Sequence, residues 1–276
     1  MDKELHRKVQ LKQMEMMDAI HNVCIANNLR YYIIAGSCLG AVRHGGFIPW
    51  DIDIDVAMPR EDYDKFFDVY AKELPDNLSI HTYKTEKVFA KSHGLVCLIG
   101  SKLLTEADLY DGNIPRFGIF IDVMPLDKCS SNPKEQKRHK RDYLFVKKLR
   151  KYKLSRIYKE NGIASRIVKH LLRIVLSPIS VSTINKWQDK IMKRYASLDN
   201  CEYWCQMASK YKYEKQLMEM NIYGTPTLIQ FEDRMYYAPE KTDAYLKKLY
   251  GDYMSLPSKD VQEKMYNYFA VAEWQE

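Results

Sequence analysis

The apolar and polar positions along the chain follow two different periods. Apolar residues recur every three to four positions where helices are expected, and they form short runs or alternate with polar residues where strands are expected. The expected helices cover 4–28, 37–44, 60–74 and much of 133–220, and the expected strands cover 31–35, 51–57, 78–84, 88–99 and 117–123. The first 130 residues thus mix helices and strands, whereas the remainder is mainly helical, with a strand-like patch and a helix in 228–250.

The composition is that of a globular chain, with 276 residues of which 46% are hydrophobic and 29% charged. We therefore predict an α+β fold in two parts, a mixed core in 1–130 and a mainly helical region in 131–276 whose last elements pack back on the core. The N-terminus lacks the apolar stretch of a signal peptide, and no apolar run is long enough to span a membrane. The six cysteines are scattered without zinc-site spacing, which predicts reduced thiols in the cytoplasm.

Three aspartates occupy every second position of one predicted strand. Asp51, Asp53 and Asp55 alternate with aliphatic residues, so their carboxylates would lie side by side on one strand face. Such carboxylates repel one another unless a cation lies between them, and Mg²⁺ binds carboxylate oxygens together with substrate phosphates. The pattern predicts either a metal–phosphate site or a solvated strand face at a sheet edge.

A Gly-Ser turn lies about 15 residues before these aspartates. Gly36 and Ser37 end a β-prone run and open a short helix, where free backbone N–H groups can bind an anion and glycine permits close approach. A Gly-Ser helix start followed by Asp-x-Asp on a strand resembles the nucleotidyltransferase fold of the polymerase-β type. That resemblance implies a core made of a mixed sheet with flanking helices.

The segment 36–66 narrows the resemblance to one family. Its residues, from Gly36-Ser37 through Trp50-Asp-Ile-Asp-Ile-Asp55 to Phe66, are similar to the LicD family of phosphocholine and other phospho-alcohol transferases, which is related to the fukutin-related proteins. Further similar segments are 120–127, 231–233 and 245–257. Many members have three consecutive aspartates after the tryptophan, whereas Ile52 takes the middle place here. The Asp53-x-Asp55 pair is intact, and Asp51 is an additional candidate ligand.

The resemblance implies transfer of a phospho-alcohol, most directly phosphocholine, from a CDP-activated donor with release of CMP. CDP-ribitol and CDP-glycerol are alternative donors. The acceptor would be a sugar hydroxyl of a cell-surface glycan, such as a teichoic acid, or of its lipid-linked precursor. Choline favours an aromatic cage, and tyrosines are available at Tyr236, Tyr237, Tyr250 and Tyr253, although tyrosines at these spacings more often belong to a core.

The same resemblance assigns roles to individual residues. The catalytic and metal-binding set, holding one or two Mg²⁺ or Mn²⁺ ions, is Asp53, Asp55 and Asp122, with Asp122 alternatively accepting the proton of the acceptor hydroxyl. Donor and phosphate contacts are assigned to Gly36, Ser37, Arg43, Lys91 and Glu232. From the residues alone, Ser37 is also a candidate helix N-cap, Asp122 a turn residue, and Arg43 and Lys91 solvated side chains.

The positive charge of the chain is concentrated in one segment. The net charge is +7, but residues 134–173 hold 15 Lys and Arg against three acids. Within the basic segment 134–179, Arg166, Lys169, His170 and Arg173 form a polar stripe on an otherwise aliphatic helix. This pattern suits either peripheral contact with anionic lipid at the inner face of the plasma membrane or a helix packed on the core.

Two other functions remain open from the sequence. The first is a nucleotidyltransferase that uses an NTP on RNA or a small molecule, and the second is a non-catalytic membrane-surface or nucleic-acid binding module. The basic residues are mixed with aliphatic rather than base-stacking side chains, so we expect no nucleic-acid partner. Release of CMP rather than pyrophosphate separates the transferase hypothesis from the first alternative.

Overall fold

The computed structural model describes residues 3–105, 117–154, 167–168, 171–172 and 174–274. The labelled helices in this part of the chain are α1 Lys3–Ala26, α2 Ala35–His44, α3 Arg60–Asp68, α4 Pro133–Leu154, α5 Val181–Met192, α6 Tyr213–Gln216, α7 Met220–Tyr223, α8 Thr242–Tyr250 and α9 Lys259–Tyr266. The strands are β1 Tyr32–Ile33, β2 Asp55–Pro59, β3 Leu78–His81, β4 Gly94–Leu98, β5 Lys102–Thr105, β6 Phe120–Cys129, β7 Tyr203–Cys205, β8 Leu217–Glu219, β9 Thr227–Phe231, β10 Arg234–Ala238 and β11 Phe269–Glu273.

A mixed sheet forms the centre of the molecule. Its order is β1-β2-β6-β4-β3, and β7 and β8 extend it from the far end of β6. The pair β2–β6 is parallel, and the other pairs of this sheet are antiparallel. Two separate antiparallel pairs, β9–β10 and β5–β11, lie outside it. The α+β expectation of a mixed sheet with several helices is thus confirmed.

The sheet separates two hydrophobic cores. Alternate side chains of β2 and β6 point to opposite faces, so Val56 and Val123 join one core whereas Ala57 and Met124 join the other. The first core includes buried side chains of α1 and α3 together with Phe231 and Tyr236 of the β9–β10 pair. The second includes buried side chains of α2 and α8. Elements from the end of the chain therefore contribute to both cores of the N-terminal sheet.

Strand β6 is longer than the expected 117–123, because it continues through Pro125 to Cys129. A proline has no N–H to donate, which normally excludes it from a central strand. Here β4 pairs with β6 up to Val123 and β7 pairs with it from Asp127. Pro125 lies in the gap between these partners and faces β2 alone, so the missing N–H leaves no acceptor unpaired on the other side.

The aspartate segment is extended but only partly a strand. The expected strand over 51–57 begins at Asp55, because residues 51–54 have no ladder partner in the described chain. The alternation nevertheless persists, since Ile52 and Ile54 are buried in the first core. Burial of these two side chains is what directs the neighbouring aspartates to the opposite side.

The expected basic helix begins at Pro133 as predicted and forms α4. The residues of the predicted polar stripe, Arg166, Lys169, His170 and Arg173, lie outside the described residues. In the part of the chain that the structure describes, no helix has both the length and the apolarity that a membrane span requires.

Candidate active site

Three of the predicted aspartates converge where β2 and β6 run side by side. Asp55 is paired with Asp122 across the parallel ladder, and Asp53 precedes β2 by two residues on the same side. One carboxylate oxygen from each of Asp53, Asp55 and Asp122 lies within 4.8 Å of the others. Three hard oxygen ligands at this separation fit a divalent cation such as Mg²⁺ or Mn²⁺.

The electrostatics of the cluster also favour a cation. Burial, and secondly the charge of neighbouring carboxylates, raise the pKa values of Asp51 and Asp55 well above the usual range. Both residues are therefore destabilised as free carboxylates, and a bound cation relieves this cost. Asp51 shares the environment of the cluster, because Asp53 and Asp55 are among the causes of its shift.

Asp122 differs from the other acids because two donors already contact it. Lys91 Nζ lies 2.5 Å and His93 Nε2 lies 2.7 Å from the same carboxylate oxygen, Oδ1. Burial alone would raise the pKa of Asp122, but Lys91 and His93 outweigh burial and hold it below the usual range. Burial also lowers the pKa of His93, and its Nε2–H donates to Asp122 because an ionised carboxylate can only accept. A carboxylate of such low basicity is a better ligand than proton acceptor.

The Gly-Ser turn supports the aspartates directly. Ser37 Oγ accepts a hydrogen bond of 2.8 Å from the backbone N–H of Asp55, which fixes the start of β2. A Cβ at Gly36 would lie 2.8 Å from Asp51 Oδ2, so glycine allows this carboxylate to approach the N-terminus of α2. Ala35 has a φ of +45°, a conformation that residues with a side chain rarely adopt. The helix N-cap is Ile34, which excludes that role for Ser37.

Lys210 faces the same cluster and was not anticipated from the sequence. It lines one cavity together with Asp51, Asp53, Lys91 and Asp122. Burial would lower the pKa of Lys210, but Tyr211 and then the charges of Asp53, Asp55 and Asp51 raise it above the usual range. Lys210 lies in a connection between β7 and α6 that has no periodic pattern, so its position depends on how β7 pairs with β6. Three lysines line the cavity, Lys91, Lys210 and Lys264, and the first two interact with the aspartates.

The cavity has a volume of about 630 Å³ and is lined by both charged and aromatic side chains. Its aromatic lining residues are Trp50, Phe89, Phe117, Phe120, Tyr266, Tyr268 and Phe269. Lys91 Nζ lies 4.0 Å from the centre of the Phe120 ring, so charged and aromatic side chains are neighbours in this lining. None of the four tyrosines considered from the sequence lines this cavity; Tyr236, for example, is buried in the first core.

Two predicted donor contacts lie elsewhere in the structure. Arg43 Nη1 donates to the carbonyls of Tyr253 and Ser255, at 2.8 and 3.2 Å. Glu232 accepts two hydrogen bonds from Arg7, at 3.0 and 2.8 Å, and one of 3.1 Å from the backbone N–H of Phe47. Neither side chain is among those that line the cavity. In this structure both residues connect segments of the fold to one another.

Comparisons with known proteins match part of this sequence to a family model. Residues 28–96, which include the Gly-Ser turn, Asp53, Asp55 and Lys91, match the family model described as LicD/FKTN/FKRP, nucleotidyltransferase domain. The chain is 28% identical over 262 residues to lipopolysaccharide cholinephosphotransferase LicD of Haemophilus influenzae, covering 93% of this chain and 94% of that protein. The resemblance to the LicD family is thereby confirmed.

A shorter similarity extends to animal proteins. A stretch of 37 residues is 51% identical to ribitol 5-phosphate transferase FKRP of Mus musculus and of Homo sapiens, covering 13% of this chain and 8% of each relative. These relatives are named as transferases of different phospho-alcohols. The expectation that this chain is an enzyme of the phosphotransferase class is confirmed.

Proposed function

We propose that this chain transfers a phospho-alcohol, most directly phosphocholine, from a CDP-activated donor to a sugar hydroxyl of a cell-surface glycan or its lipid-linked precursor. The similarity to two named phospho-alcohol transferases supports phospho-alcohol transfer in general. The observation that carries the finer proposal is the carboxylate cluster beside two lysines in a cavity that aromatic side chains also line. We place the activity in the cytoplasm, at the inner face of the membrane.

In this proposal Asp53, Asp55 and Asp122 hold a divalent cation, Mg²⁺ or Mn²⁺, with Asp51 as a further candidate ligand. When bound, the cation neutralises charge on the phosphoryl group that is transferred. Lys91 and Lys210 supply positive charge to the donor diphosphate from the protein itself. The oxygen of the acceptor hydroxyl bonds to the phosphorus that carries the alcohol, and its proton passes to the solvent. The bond from that phosphorus to the bridging oxygen breaks, and CMP leaves.

The aromatic lining of the cavity favours choline among the candidate alcohols. A quaternary ammonium cannot donate hydrogen bonds and is attracted to aromatic faces, whereas ribitol and glycerol need polar partners for their hydroxyls. Seven aromatic side chains line the cavity. We therefore propose that the alcohol of the donor contacts aromatic side chains and that its diphosphate lies beside the aspartates and lysines.

A donor panel tests the proposed function. CMP or pyrophosphate release is measured with Mg²⁺ and CDP-choline, CDP-ribitol, CDP-glycerol, CDP-ethanolamine, CTP or ATP. We expect CMP release, with CDP-choline giving the highest kcat/KM. Tyr268→Ala is expected to lower the ratio of kcat/KM for CDP-choline to that for the other CDP-alcohols about tenfold, because a cation–π contact is lost. Pyrophosphate release from CTP or ATP without CMP release from any CDP-alcohol would instead establish a nucleotidyltransferase.

We also propose that the basic segment 134–179 contacts anionic lipid, where a lipid-linked acceptor would be found. Among the described residues, Ile167, Val168, Leu171, Ile174 and Val175 are all more than half exposed. Lys148 and Lys151 are exposed on α4. Exposed aliphatic side chains in a basic segment are typical of helices that lie in the interface of an anionic membrane.

Flotation with liposomes tests this contact. The chain is expected to float with vesicles that contain phosphatidylserine at low ionic strength and to be released by high salt. Replacing Ile174 and Val175 together by Glu is expected to abolish flotation without changing CMP release toward a soluble acceptor. Absence of flotation by the unmodified chain at low salt would contradict the proposal.

A further inference from the structure

Two irregular segments carry the lysines of the site. Lys91 lies between β3 and β4, and Lys210 lies between β7 and α6. Neither lysine is part of a helix or strand, so the ladders of the sheet do not fix its backbone. Side chains of α4 and α5, which pack against each other, supply hydrogen bonds to both segments.

Arg150 of α4 contacts the segment that carries Lys91. Its Nη1 donates to the carbonyl oxygen of Lys91 at 2.8 Å, and its Nη2 donates to Ser92 Oγ at 2.8 Å. Nη1 also donates to Asn185 Oδ1 of α5 at 3.1 Å, and Asn185 Nδ2 donates to the carbonyl oxygen of Phe89 at 2.9 Å. The two side chains thus bind backbone carbonyls on both sides of Ala90.

Burying the charged side chain of Arg150 reduces the stability of the folded chain. The residue is 5% exposed, and its hydrogen-bond partners in the described chain are neutral groups rather than a carboxylate. Burial lowers the pKa of its guanidinium to about 10. A buried charge without an opposite charge is rarely retained for stability, since apolar side chains of similar size pack there at less cost.

Lys147, one turn earlier on the same face of α4, contacts the other segment. Its Nζ donates to the carbonyl oxygen of Ser209, the residue before Lys210, at 3.0 Å. Ser209 Oγ accepts from Gln216 Nε2 at 2.7 Å and from the backbone N–H of Tyr211 at 3.0 Å. The peptide that leads into Lys210 is therefore held from both sides.

We propose that Arg150 and Lys147, assisted by Asn185, are positioning residues that hold Lys91 and Lys210 in place to bind the donor diphosphate. This role rests on the proposed function, because it requires that the two lysines face a diphosphate. Long lysine side chains lose much of their effect when their backbone moves, and displacement of about 1 Å can cost about 100-fold in rate. One face of α4 thus connects the helical region to the two segments that carry Lys91 and Lys210.

Binding of Mn²⁺ and of inorganic pyrophosphate, measured by calorimetry on the full chain, tests the proposal. We expect Arg150→Met and Arg150→Lys to weaken binding of pyrophosphate in the presence of Mn²⁺ by about tenfold, as expected for loss of an ordered charged contact. Binding of Mn²⁺ alone is expected to be unchanged. Lys137→Met, which removes an exposed charge from the same helix, is the matched control and is expected to bind as the unmodified chain does.

Double variants separate positioning from a general structural role. If Arg150 acts through Lys91, the variant Lys91→Met/Arg150→Met binds pyrophosphate as weakly as Lys91→Met and no more weakly. Likewise, the variant Lys147→Met/Lys210→Met is expected to bind pyrophosphate as weakly as Lys210→Met and no more weakly. This second pair tests the positioning role if Arg150→Met does not fold. The positioning role would be overturned if the losses in the double variants were additive, or if Mn²⁺ affinity fell in parallel with pyrophosphate affinity. Undiminished pyrophosphate binding by both Arg150→Met and Lys147→Met would overturn it too. None of these results would contradict the proposed function. Absence of pyrophosphate binding by the unmodified chain with Mn²⁺ would overturn the proposed function as well.

Discussion

Replacing Asp55 by Asn is expected to lower kcat for CMP release from CDP-choline by about 10³-fold or more, which corresponds to about 4 kcal/mol of transition-state stabilisation. Asn preserves the shape of the side chain but removes the charge that would hold a divalent cation between β2 and β6. Asp53→Asn is expected to have a similar effect. Asp76→Asn, which changes an exposed acid in a turn, is the control and is expected to leave kcat unchanged.

Asp55→Asn is also expected to stabilise the folded chain when divalent cations are removed by a chelator. Because burial and neighbouring carboxylates raise the pKa values of Asp51 and Asp55, the folded chain retains protons that the unfolded chain releases above about pH 4. The free energy of unfolding of the unmodified chain therefore decreases as pH rises above that value. Asp55→Asn should reduce this slope and raise Tm at neutral pH by about 3 °C or more.

Calorimetry in chelator at several pH values measures this effect, and a second series with Mg²⁺ completes the comparison. Mg²⁺ is expected to raise the Tm of the unmodified chain but not that of Asp55→Asn, because ligand binding stabilises only the form that binds it. Equal turnover by Asp55→Asn and the unmodified chain would remove this residue from the active site. A decrease of Tm in Asp55→Asn in the presence of chelator would show that its carboxylate stabilises the fold rather than opposing it.

Replacing Lys210 by Met is expected to lower kcat/KM for the CDP-alcohol by about 100-fold, equivalent to about 2.7 kcal/mol. Lys210 lines the cavity with Asp51, Asp53 and Asp122, so its ammonium adds positive charge where the donor diphosphate is expected. Lys210 is itself exposed, but its charge acts on a phosphate held beside buried carboxylates. Lys91→Met is expected to have an effect of similar size.

Steady-state kinetics with varied donor at constant acceptor measure the effect of Lys210→Met. Lys212→Met is the matched control, because it removes an exposed charge two residues away in the same segment. The loss should appear in the donor KM, in kcat or in both, while the acceptor KM stays constant. An effect of Lys212→Met as large as that of Lys210→Met would mean that net charge rather than a specific contact is responsible.

The part of the site that could be predicted from the sequence is the part encoded by local spacing. Asp53 and Asp55 lie two residues apart beside buried isoleucines, so both their shared direction and their proximity follow from the strand pattern. In the sequence, Asp122 is an isolated acid in an apolar run. Its distance from Asp53 and Asp55 depends on the pairing of β2 with β6, which no local pattern reveals. The structure brings these three together as the resemblance implied.

Other parts of the site depend on tertiary contacts that no local pattern reveals. Lys210 lies in a segment without periodicity, and His93 lies in the expected strand 88–99 without being marked as a site residue. Their approach to the cluster requires β7 and β4 to pair with β6. Phe269 reaches the cavity through pairing of β11 with β5, more than 160 positions earlier in the chain.

The buried face of the basic helix α4 could not be predicted from sequence patterns either. Charge counting left two interpretations of its lysines and arginines open, a surface for anionic lipid or a helix packed on the core. In the structure, Lys147 and Arg150 point inward to backbone carbonyls near the site, whereas Lys148 and Lys151 are exposed. The helical period alone could not decide which face of α4 would be buried, because both faces carry basic residues.

Titration of the chain with Mn²⁺, followed by electron paramagnetic resonance, tests most directly whether the carboxylates of β2 and β6 form a cation site. The unmodified chain is expected to bind Mn²⁺, more tightly when CDP-choline is present, and Mg²⁺ is expected to compete for the same site. Asp53→Asn, Asp55→Asn and Asp122→Asn should each weaken binding, whereas Asp76→Asn should not. Equal Mn²⁺ binding by the unmodified chain and all three variants, or no binding with or without CDP-choline, would contradict the proposed site.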